Sequence, residues 1–134
     1  MTNQYHLEER LDFIGMDDAA RTRLRAMRPV LGAATGPALT SFYAKVASVP
    51  ATNAFFKNPA HMAHAKGRQE QHWDVIASAE FGEDYAKNVR AIGEAHARLG
   101  LEPRWYIGGY ARVLEQLVAA VVEARWPRGL LKTS

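Results

Sequence analysis

Residues 92–110 read IGEAHARLGLEPRWYIGGY. Upstream the same pattern reaches back to Asp84. In the segment DYAKNVRAIGEAHARLG, Tyr85, Val89, Ile92, His96 and Leu99 follow one another at intervals of four, three, four and three residues, the inward face of an amphipathic helix. His96 therefore points where the core residues point. Lys87, Arg90, Glu94 and Arg98 occupy the opposite face, which leaves the register little freedom. Gly100 reads as a C-terminal stop, and Pro103 opens the next helix at a position where a missing N–H costs least. The connection is short, so the two helices must pack close together. Tyr106 and Tyr110, one turn apart on the second helix, are candidates to face the same interior as His96.

Spacing alone leaves two readings of His96. It is either a core histidine satisfied by a neighbouring hydroxyl such as that of Tyr106, or a metal or haem ligand whose second ring nitrogen is held by an outer acceptor. Both need the same neighbours, and the rest of the chain has to decide between them.

Composition sets limits. With 134 residues the chain is expected to form a single domain, 1–134, with a core of its own. Hydrophobic residues make up 48% and charged residues 23%, as in ordinary globular proteins. No run of about 18 apolar residues exists to span a membrane, and the start MTNQYHLEER lacks the form of a signal peptide. The expected location is the cytoplasm. There is no cysteine, which excludes disulfides, thiolate zinc sites, iron–sulfur clusters and cysteine nucleophiles. Any metal chemistry must rest on histidine or carboxylate. The formal charge of +3 is mild and its Lys and Arg are interspersed with Asp and Glu, so no nucleic-acid partner is expected. No Ser/His/Asp set, phosphate loop or carboxylate pair at useful spacing supports a hydrolase or kinase.

Along the chain the pattern is helical. A leading segment, residues 1–14, holds QYHLEERLDF and ends at Gly15. Asp17 or Asp18 caps a helix expected to run to about Gly32, after which GAATGP, residues 32–37, is expected to bend the chain. The stretch PALTSFYAKVASV follows, with Leu39, Phe42, Tyr43 and Val46 on one stripe, and then ATNAFFKN delivers Phe55 and Phe56. A long helix opens near Pro59 and runs to about Ala79, and the last helix extends from Pro103 to about Arg125. No period-2 run competes with these. The expected class is all-α, with five or six helices. Aromatic side chains fall on or near the inward faces, and a stripe tyrosine, Tyr43, comes from a different helix than the stripe histidine.

These residues together carry a resemblance. The run IGxxHxRLGLxPxWYxGxY, met as Ile92, Gly93, His96, Arg98, Leu99, Gly100, Leu101, Pro103, Trp105, Tyr106, Gly108 and Tyr110, resembles the signature of globin-coupled sensors, the bacterial haem-based gas sensors. Upstream, FY at 42–43, the FF pair at 55–56, QxxHW at 69–73 and FxxxY at 81–85 agree in order and spacing.

The resemblance implies a globin-like fold of the sensor type and haem b as cofactor. His96 matches the proximal ligand of haem iron, Tyr43 the distal donor to bound dioxygen, and Tyr106 a tyrosine beside the proximal histidine. Phe42, Phe55, Phe56, Gln69, Ile92, Leu99 and Trp105 would then line the cofactor. His61 and His64 lie on the distal helix, where either would close the iron if it became a sixth ligand. The implied partners are a diatomic gas (dioxygen, carbon monoxide or nitric oxide), a second copy of the chain joined through the last helices, and an output domain elsewhere. The implied function is reversible gas binding and signalling, with no enzymatic activity in the chain itself. Such sensors carry a further long helix after the one ending near Arg125, whereas only WPRGLLKTS remains here, so residues 127–134 are expected to be the truncated start of a final helix. Two other readings stay open: a haem enzyme of the nitric oxide dioxygenase or peroxidase kind, and a cofactor-free globin-like signalling module.

Overall fold

Proline and glycine set many of the helix boundaries in the computed structural model, which describes residues 6–126. Helix α1 is Leu7–Phe13, and the chain turns after it at Gly15, whose φ of 73° favours glycine. The second helix, α2, is Asp18–Ala26, its first turn capped by the Asp17 carboxylate, which accepts from the Ala20 N–H at 2.8 Å. Helices α3 (Arg28–Ser48), α4 (Pro50–Asn53), α5 (Pro59–Ser78) and α7 (Pro103–Arg125) each carry a proline in their first two positions. Asn58 caps α5 by accepting from the His61 N–H. Helix α6, Glu83–Leu99, stops at Gly100 in the left-handed conformation, φ 69°, as the sequence pattern requires. These are seven helices among the described residues, more than the five or six expected, because the leading segment and the four-residue α4 stand as separate elements.

One boundary differs from the expectation. The chain does not bend at GAATGP: α3 runs straight through it with Pro37 inside the helix, and the break falls earlier, at Met27. Pro29 explains the break, since it cannot donate the backbone hydrogen bond that would carry α2 onward but suits the opening turn of α3. Pro37 is tolerated because Gly32, Ala33, Ala34 and Gly36 surround its ring with minimal side chains. Two hydroxyls on this stretch bond back to the helix: Thr35 Oγ1 donates to the Leu31 carbonyl at 2.6 Å, and Thr40 Oγ1 to the Gly36 carbonyl at 3.0 Å.

Helix α3 is the central element, packed along α5 on one side and α7 on the other, while α2 packs along α5 and α3. The core is Ala38, Leu39, Val113 and Leu117, ringed by Leu31, Ala34, Phe42, Tyr43 and Trp73. Between α3 and α7 the Phe42 ring lies over Gly109; a Cβ at that position would sit 3.0 Å from two ring carbons. Helix α6 makes no comparably extended backbone approach to any other helix.

The other face of α7 is apolar and open: Ile107, Leu114, Val118 and Val122 are all exposed. No helix among the described residues is long and apolar enough to cross a membrane. The expected start of a final helix, 127–134, lies outside the described residues, as does the beginning of the leading segment.

Candidate functional site

The stripe on α6 produces an unusual helix. Only Ala86 is buried on it, while Tyr85, Val89, Ile92 and His96 are half-buried. Two aromatic pairs hold it against the core. Near its start Tyr85 stacks on His72 of α5, with ring centroids 6.4 Å apart and planes within 4°; near its end His96 stacks on Tyr106 of α7, at 5.8 Å and 13°. Tyr85 and His96 are eleven residues apart, about 16 Å along the helix, and Val89 and Ile92 lie between them on the face turned inward. The helix is thus held at both ends, and between them no other helix packs extensively along it among the described residues.

His96 is chemically prepared for a ligand role. Burial lowers its pKa from the ordinary value, which keeps the imidazole neutral with a free lone pair near pH 7. The Tyr106 ring lies face to face with it, and no hydrogen bond satisfies the imidazole among the described residues. A core histidine satisfied by the Tyr106 hydroxyl is therefore not what the geometry shows. Nor do three His, Cys, Asp or Glu side chains gather at any point among the described residues to cage a bare ion. The arrangement fits a prosthetic group that brings its own in-plane donors and takes one protein ligand, with an apolar helix face to lie along.

A second aromatic cluster centres on Tyr43. Its ring meets Phe42 edge-on at 5.0 Å and Phe56 at 6.1 Å, and Phe56 in turn meets His61 at 5.3 Å. Burial, and secondarily Tyr110, pushes the Tyr43 pKa up to about 12, so the phenol stays protonated and available as a donor. His61 accepts at Nδ1 from the Lys57 N–H, 3.2 Å away. His64 is exposed, and Gln69 and Phe55 are half-buried.

Not every stripe assignment survives. Leu99 is 50% exposed, at the last position of α6 before Gly100. Tyr110 does not join His96; it packs on Trp73 at 6.0 Å instead. Trp105 is half-buried beneath the Arg104 guanidinium, 4.5 Å from the ring centroid. Gly109 was absent from the sequence-derived set, and the doubled glycine at 108–109 was its only signal.

A family model described as Protoglobin matches residues 3–132. The chain belongs to the protoglobin family. The all-α, globin-like architecture and the resemblance to globin-coupled sensors agree with that membership. This protoglobin is also 30% identical over 115 residues, 85% of its own length, to the heme-based aerotactic transducer HemAT of Halobacterium salinarum (strain ATCC 700922 / JCM 11081 / NRC-1). It spans 24% of that relative's length.

Proposed function

We propose that this protoglobin binds haem b through His96 and acts as a gas-sensing module, 1–134, for an output domain lying elsewhere. The observation that carries the reading is the neutral imidazole of His96, without a protein hydrogen bond among the described residues, on the half-buried inner face of α6. The name of the halobacterial relative, a haem-based transducer, agrees with it. When bound, haem supplies an iron with one position left for a diatomic gas.

The chain's own residues then have separable tasks. His96 presents a neutral nitrogen to the iron, and Tyr106, stacked beside it, limits rotation of the ring. Val89 and Ile92 exclude water along α6, and Phe42, Phe55 and Phe56 do the same from α3 and the stretch after α4, with Gln69 the polar group on α5. Tyr43 keeps its proton at the phenol oxygen and offers it to a polar gas, so dioxygen is favoured over the less polar carbon monoxide. His61 and His64 lie on α5 as well, where either would close the iron if it became a sixth ligand. The open stripe Ile107, Leu114, Val118 and Val122 suits pairing with a second copy, through which a shift of α7 reaches the output.

The test is optical. Protein reconstituted with haemin is expected to show an intense Soret band that His96→Gly loses and added imidazole restores. A protein that takes up no haem, or a His96→Gly variant with an unchanged spectrum, overturns the proposal. Tyr43→Phe is expected to speed dioxygen release about tenfold, the effect of one lost hydrogen bond, and an unchanged rate removes that role.

A further inference from the structure

A second site lies away from His96, between α2 and the turn joining α5 to α6. Three arginines, Arg21 and Arg25 on α2 and Arg28 at the start of α3, reach across to α5 and to this turn. Arg28 grips the Asp74 carboxylate with two hydrogen bonds, at 3.2 and 3.0 Å, and Arg25 Nε donates to the Ser78 carbonyl at 3.2 Å. Arg21, the next step along, meets no acceptor. Its guanidinium lies 6.0 Å from the centroid of the Phe81 ring, and its Nε is shielded from solvent with no hydrogen-bond partner among the described residues. Leaving such a donor unpaired is costly, more so when the group is charged. Beside it opens a cavity of about 500 Å³ lined by Asp18, Arg21, Thr22, Arg25, Ala79, Glu80, Phe81 and Gly82.

We propose that this cavity binds a small organic monocarboxylate, its carboxylate on Arg21 and Arg25 and its apolar end against Phe81. With Nε shielded, the two terminal nitrogens of the planar guanidinium are the edge that matches a carboxylate in two-point geometry, and the ring beside it gives the ligand's hydrocarbon part a surface. The Thr22 hydroxyl is already donated to the Asp18 carbonyl, so its lone pairs add nothing to an anion. Gly82 gives α6 no side-chain cap, which leaves the first N–H groups of that helix free at the rim. The charge balance selects the ligand. Asp18 and Glu80 line the cavity without forming an ion pair with Arg21, and two carboxylates in the lining disfavour a dianion. A single negative charge with a hydrophobic body is favoured over phosphate or sulfate. The site is independent of the haem reading, since none of its residues takes part in that pocket.

The experiment uses the intact protein and three probes, benzoate, acetate and inorganic phosphate, at constant ionic strength. Calorimetry and amide chemical shifts are read together. Benzoate is expected to bind saturably at millimolar concentration with the largest shifts at Phe81, Gly82 and Glu83, acetate more weakly, and phosphate weakest. Arg21→Met is expected to weaken benzoate at least tenfold, the loss of a charge-assisted pair; Phe81→Leu is expected to narrow the gap between benzoate and acetate. If Arg21→Met does not fold, the shift map on the unaltered protein decides. Non-saturating shifts, shifts centred elsewhere, undiminished binding by Arg21→Met, or tighter binding of phosphate than benzoate each overturn the assignment.

Discussion

Two neighbouring glycines on α7 offer an internal comparison for the central helix packing. A Cβ built at Gly108 meets nothing within 4 Å, whereas one at Gly109 meets two carbons of the Phe42 ring at 3.0 Å. Both positions lie well inside the helix, where alanine is favoured over glycine by about 1 kcal/mol. Gly108→Ala should collect that gain nearly in full. At Gly109 the new methyl sits well inside the preferred carbon–carbon separation of about 3.5–4.0 Å, so the ring must retreat by roughly half an ångström. Phe42 has little room to do so, with Gly109 on one side and the Tyr43 ring 5.0 Å away on the same helix. Overpacking of this kind costs about 1–3 kcal/mol. Set against the helix gain, Gly109→Ala is expected to be destabilised by up to about 2 kcal/mol, and the two variants to differ by about 1–3 kcal/mol.

The assay is reversible urea denaturation of the unaltered protein and both variants, supported by thermal melts, where 1 kcal/mol amounts to about 3–5 °C for a chain of this size. A double variant isolates the cause. Phe42→Leu removes the ring edge, so adding Gly109→Ala to it should cost nothing or stabilise. Equal stabilisation by alanine at 108 and 109, or a Gly109→Ala penalty that persists in the Phe42→Leu background, would refute the argument that the Phe42 ring leaves no room for a side chain at 109.

Removing the cap of α5 by Asn58→Ala frees the His61 N–H, bonded at 2.8 Å, and is expected to cost about 1 kcal/mol in the same assay. Acid should destabilise the haem-free protein through two histidines. His72 and His96 both have pKa values lowered by burial, so the unfolded chain takes up protons first, near pH 6.5. The stability they contribute is complete above that pH and falls as pH drops through their folded values. Melting temperature measured from pH 8 to pH 5 should decline below about 6.5 and decline less in His72→Gln; an identical slope in that variant removes His72 as a source.

What could be read from the sequence was what local rules decide. Gly100, Pro103 and the four–three–four–three stripe are consecutive on the chain, and each acts through its own backbone preference or its own helix face, so α6, α7 and the inward aim of His96 were all legible. Pro37 was not, because a proline always costs a helix one backbone hydrogen bond, and what carries α3 across it is packing along α5 and α7, which no local rule shows. Tyr106 and Tyr110 show the limit within one helix. They lie one turn apart, yet the first meets His96 and the second meets Trp73. The helix crossing that separates them is fixed by Phe42 seated on Gly109, residues 67 positions apart. The arginine ladder is of the same kind, since Arg25 and Arg28 find their partners 53 and 46 residues away. Its functional content lies in Arg21, the member left without an acceptor, and in the sequence that arginine looks like any other charge on an exposed helix face. A ligand site formed by a missing partner becomes visible only after the satisfied partners have been placed.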